Sequence, residues 1–275
     1  MGAVKPVIGI CMFAFFVLIS CISTDGEERR GGSPVQDQHT LIDTAGKTIF
    51  KRFDPPPGFS RTVIDTFSFG FFLRHLKLKT FGTRVRYYNG QPKNKPNVYI
   101  SVIDMDIGNR DLQQCADAIM RLRSEFLYAR QRYHDIHFNF VSDGRPRFYE
   151  DFVEGDHSYE KFREYLDYIF AYANTRSLEQ ELIPVGSILE IRIGDVFIQT
   201  GNPYGHAVIV TDMAENIDTG EKVYMLAQGY MPAQDIQVLV NRENTMISPW
   251  YTLGEGPIET PEWTFMPVDL KRFHD

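Results

Sequence analysis

The chain has 275 residues, of which 43% are hydrophobic and 24% are charged, and its formal net charge at pH 7 is −7. These are the proportions of a globular protein that is long enough to bury a core without disulfides. The negative charge, with no Lys/Arg-rich run, argues against nucleic acid as a partner.

The N-terminal segment has the pattern of an export signal, in which Lys5 precedes an apolar stretch that ends at Leu18-Ile19-Ser20-Cys21. A charged start, an apolar middle and a small residue before the cleavage point are typical of such signals. The last four residues resemble a bacterial lipobox, which implies lipidation of Cys21. A plain secretory peptide or a transmembrane anchor is the alternative. We therefore predict a signal peptide at 1–20, a polar tether at 21–40 and a membrane anchor made by the N-terminal lipid.

The segment 41–107 predicts an N-terminal α/β extension. After a proline-rich turn at 55–57, an apolar run over 66–76 predicts a short buried helix. Strands are predicted over 84–88 and 98–103, because Asn-Gly and Lys-Pro pairs between them mark turns.

The clearest helical pattern follows Asp111. Asp111 and Gln114 have the spacing of a capping box, which places Cys115 at about the fourth helical position. Apolar residues then recur with helical spacing at Leu112, Cys115, Ala116, Ile119, Leu122, Phe126 and Ala129. A second amphipathic helix is predicted over 159–174.

Three short runs rich in Val, Ile and Phe predict consecutive antiparallel strands, because turn residues separate them. The runs are Gly194–Ile198, Gly205–Val210 and Val223–Ala227. His206 opens the second strand and Gln228 follows the third. The strand series is expected to begin at 188–193, and the tail after Pro249 is expected to wrap around the fold with one strand near 263–266.

Cys115 is the only cysteine beyond the N-terminal segment, which contains Cys11 and Cys21. A thiol near a helix start or beside an imidazolium has a lowered pKa, and His206 is the candidate imidazole. Gln228 is the first candidate to orient the His206 ring and Asp212 the second. The alternative is a buried core cysteine and a histidine that bonds a neighbouring carbonyl.

The cysteine-bearing helix, followed by Gly-Asp-Val-Phe-Ile and Gly-His-Ala-Val-Ile-Val over 194–210, resembles the papain-fold peptidoglycan hydrolases of the NlpC and CHAP type. The resemblance covers about 108–240. It implies an α+β, papain-like core over 108–275, in which a central helix packs on an antiparallel sheet. One continuous domain over 41–275 is the alternative. The whole chain, including the segments Asp111–Asp117 and Gln228–Gln234, also resembles an uncharacterised family of exported bacterial lipoproteins with a domain of unknown function.

The resemblance implies a cysteine peptidase or amidase that acts on cell-wall peptide or a related amide. Cys115, His206 and Gln228 would be catalytic, and the binding candidates are Asp212, Tyr204, Tyr230 and Gln114. We expect no metal or cofactor, and we expect a cell-envelope location on the periplasmic face or the surface of a Gram-negative bacterium. The alternative function is a non-catalytic, lipid-anchored lipoprotein that binds peptide or glycan or scaffolds a partner.

Overall fold

A computed structural model describes residues 40–274, so the predicted signal peptide, Cys21 and most of the tether lie outside the described residues. Within residues 40–274 there are six α-helices, four of which have six residues or fewer: α1 (Ile49–Arg52), α2 (Phe69–Arg74), α3 (Cys115–Ala129), α4 (Tyr149–Val153), α5 (Tyr159–Tyr172) and α6 (Thr175–Gln180). The same residues contain the strands β1 (Phe59–Arg61), β2 (Tyr99–Val102), β3 (His137–Asn139), β4 (Pro146–Phe148), β5 (Leu182–Pro184), β6 (Val196–Gln199), β7 (His206–Asn216), β8 (Lys222–Gln228), β9 (Gln237–Leu239), β10 (Tyr251–Thr252), β11 (Ile258–Glu259), β12 (Thr264–Phe265) and β13 (Leu270–Phe273).

Nine of these strands form one sheet, and every strand pair in it is antiparallel. Seven strands follow the order β2-β9-β8-β7-β6-β13-β5, while β1 pairs with β7 and β10 pairs with β8. The prediction of three consecutive antiparallel strands is confirmed by β6, β7 and β8. Two further hairpins, β3-β4 and β11-β12, stand apart from this sheet.

The central strand β7 is buried on both faces, which explains its continuous apolar run. Successive side chains of a strand point to opposite faces. Accordingly, Ala207 and Ile209 belong to one core cluster, whereas Val208 and Val210 belong to a second cluster on the other face. The first cluster also holds the apolar side of α3.

The predicted fold class, a papain-like helix packed on an antiparallel sheet, is wrong. The described chain is mostly an antiparallel nine-stranded sheet with few helices. The prediction missed strands because several of them are too short to show an alternating pattern. The missed strands include β13 in the tail, which lies between β6 and β5, and β1 in the segment 41–107. The strand predicted over 98–103 is confirmed by β2.

The helix predictions are confirmed in type but not always in position. The two longest predicted helices correspond to α3 and α5, and the short one over 66–76 corresponds to α2. The expected capping box of Asp111 and Gln114 is wrong, because Gln114 is itself the N-cap and pairs with Asp117. Cys115 is therefore the first residue of its helix. The predicted strand start at 188–193 is also wrong, since Ile188–Glu190 form a 3-10 helix.

Only isolated bridges occur in the predicted strand 84–88. No helix within residues 40–274 is both long and apolar enough to cross a bilayer.

Candidate functional site

Cys115 lies at the start of α3, where the first backbone N–H groups of a helix have no partner within it. Its sulfur lies 4.0 Å from the carbonyl oxygen of Gly205, and a hydrogen bond from the N–H of Ala207 acts to lower the pKa of the thiol. The thiol therefore lies alongside the backbone of His206. The Cys115 residue is only 7% exposed, yet it lines a cleft of about 320 Å³.

Burial, followed by the charge of Asp117, raises the pKa of the Cys115 thiol to about 11. Backbone N–H groups of Ala116, Ala207 and Cys115 itself act in the opposite direction. The lowered pKa expected from the helix start is therefore wrong, because loss of solvent outweighs the helix amides.

Two glycines allow the strands to approach the neighbouring helices this closely. A Cβ atom on Gly205 would lie 2.3 Å from the carbonyl oxygen of Gln199 and 2.7 Å from the hydroxyl of Thr175. A Cβ atom on Gly229 would lie 2.8 Å from both the Cβ of Ala118 and the carbonyl oxygen of Gln114. Glycine at position 229 lets the chain beside Gln228 pass close to the start of α3, and glycine at position 205 lets the chain beside His206 pass close to Gln199 and Thr175.

His206 is the first residue of β7 and is 2% exposed. Its Nε2 atom lies 2.8 Å from the Oε1 atom of Gln228. Three aromatic rings surround the imidazole, with centroids 4.9 Å away for Tyr230, 5.4 Å for Trp263 and 5.9 Å for Phe265. Burial lowers the pKa of His206 to about 4, so the ring is neutral at pH 7.

Gln228 connects His206 to a buried carboxylate. Its Nε2 atom donates to the Oε2 atom of Glu262 over 2.7 Å. The same oxygen lies 2.6 Å from the ammonium of Lys93, and the other carboxylate oxygen lies 3.0 Å from that of Lys95. Burial acts to raise the pKa of Glu262, but the two lysines outweigh it and hold the pKa below its usual value.

Asp117 is another buried acid, and it lines the same cleft as the Cys115 thiol. Its Oδ2 atom accepts the N–H of Gln114 over 3.0 Å, but Oδ1 has no hydrogen-bond partner among residues 40–274. Burial raises the pKa of Asp117 to about 8, although backbone N–H groups lower it. The carboxyl is therefore mostly protonated at pH 7.

Three of the four predicted binding residues lie at this site. Tyr204 and Gln114 line the cleft, and Tyr204 is 60% exposed. Tyr230 packs edge-on against the His206 ring. Burial, then the charges of Glu262 and Cys115, raises the pKa of Tyr230.

Asp212 does not serve His206, because it is engaged elsewhere. Its two oxygens lie 2.7 Å from Nε of Arg61 and 2.5 Å from Nε of Arg74, and its side chain is fully buried. These ion pairs join β7 to β1 and α2. The prediction that Asp212 orients the ring is therefore wrong, and Gln228 takes that position.

Sequence reasoning missed Glu262, Trp263 and Lys93. No motif marks them, because Glu262 and Trp263 lie in a loop far along the chain from both Cys115 and His206, and Lys93 lies in a separate loop that precedes α3. Only Gln228, at the end of a predicted strand next to that of His206, could be found from strand pairing. No group of three or more His, Cys, Asp or Glu side chains suited to a metal ion occurs in the described part of the chain.

At pH 7 the Cys115 thiol and the His206 imidazole are both neutral, and the thiol lies against the backbone on either side of His206. The imidazole can accept a proton, and the thiol can supply one as its sulfur attacks an electrophile. Asn174, Thr175 and Arg176 line the same cleft as Cys115.

Comparison with known proteins places the chain in one family. The family described as "Domain of unknown function (4846)" matches residues 49–157 and again 148–272. Searches of the curated proteins and of the solved structures found no match. The family match supports neither the lipoprotein resemblance nor that to the NlpC and CHAP hydrolases. Because the two matched segments together cover most of the sequence, the chain belongs to the family of the domain of unknown function 4846.

Proposed function

We propose that this protein is a cysteine hydrolase that cleaves an amide bond. Cys115 is the nucleophile, His206 the general base and acid, and Gln228 the residue that orients His206. One observation carries the proposal: a thiol that lines an open cleft lies against the backbone of a histidine whose ring is bonded to an amide. Cell-wall peptide is the substrate class that the sequence resemblance implies.

In the first half of the reaction, the Cys115 sulfur attacks the carbonyl carbon while His206 takes the thiol proton. The carbonyl π electrons move to the oxygen. As the tetrahedral intermediate collapses, the C–N bond breaks and His206 returns the proton to the leaving amine. This leaves a thioester on Cys115. In the second half, water attacks the thioester, His206 takes the water proton, and the proton returns to the departing sulfur.

The helix start supplies donors for the developing oxyanion. The N–H groups of Cys115 and Ala116 are the first two of α3, and both act to lower the pKa of the Cys115 thiol. Backbone donors fixed in a buried site stabilise negative charge without having to reorient. Asp117, when protonated, adds no competing charge there.

A non-catalytic role has one observation in its favour, namely the burial of Cys115 and its raised pKa. In that case the protein would bind peptide or glycan, or scaffold a partner. The lipid anchor at Cys21, the membrane contact and the envelope location are also proposals. They rest on the N-terminal sequence alone.

The test combines turnover with thiol reactivity. Purified cell-wall peptide is incubated with the protein, and new amino groups are detected by mass spectrometry. We expect Cys115→Ala to reduce turnover by about 10³-fold or more, because it removes the nucleophile. Ser124→Ala is the matched control, since Ser124 is a small buried residue of the same helix, and it should keep wild-type turnover.

Alkylation of the folded protein by iodoacetamide is measured on the peptide that contains Cys115. The rate should rise about tenfold per pH unit up to about pH 11, because the thiolate reacts and its fraction follows the raised pKa. Wild-type turnover in Cys115→Ala would overturn the proposal. So would a thiol that stays unreactive at every pH until the protein unfolds, which is the result expected of a core cysteine.

A further inference from the structure

Glu262 lies at the start of a chain of contacts that ends at the His206 ring. Its side chain is 2% exposed, as is that of Lys93, so this ion pair is buried. The contacts run from Lys93 to Glu262 over 2.6 Å, from Glu262 to Gln228 over 2.7 Å, and from Gln228 to His206 over 2.8 Å. Each of these bonds restricts which atom of the next side chain, donor or acceptor, can take part in it.

The chemistry of the groups fixes the direction of every bond. An ionised carboxylate only accepts hydrogen bonds, so the Gln228 atom that faces Glu262 must be the amide nitrogen. The Gln228 oxygen therefore faces His206, and an amide oxygen also only accepts. The Nε2 atom of His206 must then carry the proton. In a neutral imidazole, Nδ1 is left with the free lone pair.

We infer that Glu262 is a positioning residue for His206. By holding the Gln228 amide in one orientation, it selects the tautomer with the proton on Nε2 and leaves Nδ1 as the nitrogen that accepts the Cys115 proton. The value of this tautomer rests on the proposed cysteine hydrolysis, but the tautomer itself is a property of the resting protein. Without Glu262, the amide of Gln228 could turn and present its nitrogen to His206.

A purely structural role is the competing explanation, since Glu262 also pairs with Lys93 and Lys95. Three variants distinguish a positioning role of Glu262 from a purely structural one. Lys93→Met breaks the buried ion pair but keeps the carboxylate acceptor. Glu262→Gln keeps an acceptor oxygen toward Gln228. Buried Lys93 still needs an oxygen at that position, whereas Lys95, whose side chain is 53% exposed, can turn to solvent when the amide nitrogen faces it. Lys93→Met with Glu262→Met removes both buried charges and the acceptor together.

The readout is nitrogen NMR of the isotope-labelled, full-length protein, in which two-bond nitrogen–proton correlations identify the imidazole tautomer. His206→Asn assigns the signals. We expect the Nε2–H tautomer alone in wild type, Lys93→Met and Glu262→Gln, and a large Nδ1–H population in the double variant. Equal perturbation of Lys93→Met and the double variant would overturn the inference in favour of a structural role. So would a double variant that keeps the wild-type tautomer.

The wild-type spectrum can overturn the inference even if the double variant does not fold, because a wild-type Nδ1–H tautomer contradicts it. The spectra need no substrate. The inference can therefore fail while cell-wall peptide hydrolysis is observed, or hold while no hydrolysis occurs.

Discussion

Asp117 is the residue whose ionisation should be most visible in the stability of the fold. Its pKa is about 8 in the folded protein against an ordinary value of 3.8, because it is buried without a charged partner. Between these values the folded state holds a proton that the unfolded state has lost. Stability therefore falls as pH rises from about 4 to about 8, and the loss is complete above that range.

Asp117→Asn removes this titration while keeping the size of the side chain. The difference in unfolding free energy between wild type and variant should change by about 1.4 kcal/mol per pH unit between pH 5 and 8, in favour of the variant as pH rises. His206 titrates with the opposite sign below pH 6.5, but it is present in both proteins and cancels. Urea unfolding at several pH values measures the difference.

Asp218→Asn, in an exposed turn, is the matched control and should show no such trend. A constant difference between wild type and Asp117→Asn from pH 5 to 8 would contradict the burial argument. Cys115 adds a smaller effect of the same sign at higher pH, because its pKa of about 11 lies above the ordinary value of 9.0.

At the scale of elements, the site depends on the contact between the end of β8 and the start of α3. Gly229 makes this contact possible, since any Cβ there would meet the Ala118 Cβ and the Gln114 carbonyl oxygen at 2.8 Å. The Gln114 carbonyl oxygen belongs to the N-cap of α3, so it cannot move without moving the start of the helix. An added methyl group therefore has to push the helix start away from the strand.

Gly229→Ala should lower the free energy of unfolding by about 1–3 kcal/mol, the usual cost of overpacking a buried contact. It should also accelerate Cys115 alkylation, because the thiol moves away from the strand that covers it. Gly254→Ala is the control, since a Cβ atom there meets nothing within 4 Å. Thermal unfolding and alkylation rates measure both effects, and an unchanged melting temperature for Gly229→Ala would refute this account.

Local patterns predicted the elements that carry the candidate site. The apolar spacing before and after Cys115 predicted α3, and the runs around His206 and Gln228 predicted β7 and β8. The pairing of His206 with Gln228 followed from adjacent strands. Glu262 and Lys93 could not be predicted, because neighbours brought together by tertiary packing leave no periodic pattern. The helix start was placed three residues too early, since Asp111 is an equally good cap by sequence and instead binds the N–H of Ala233.

At the scale of the whole molecule, the sheet is completed by β13, the last strand of the described residues. The strand β13 lies between β6 and β5, and its first residue, Leu270, is fully buried. The papain-like prediction failed here, because the tail contains prolines and glycines that indicated a wrapping segment rather than a sheet strand. A four-residue strand in the interior of a sheet has no signature of its own in the sequence.

Removal of residues 270–275 should expose the backbone edges of β6 and β5, which are then free to pair with other chains. We expect the truncated protein to aggregate or to melt at a much lower temperature, as measured by size-exclusion chromatography and thermal unfolding. Removal of Asp275 alone is the control and should behave as wild type. A monomeric truncated protein with the wild-type melting temperature would show that β13 is dispensable.

The groups that enclose and anchor His206 include Glu262, Trp263 and Phe265, which follow both Cys115 and His206 in the chain and are therefore synthesised after them. A growing chain on the ribosome acquires its cysteine and its histidine long before it acquires these partners. Until residues 262–265 are made, the imidazole lacks Trp263 and Phe265, and Gln228 lacks the carboxylate that fixes its amide. The order of translation therefore leaves the surroundings of His206 incomplete in any chain that has not yet reached Glu262.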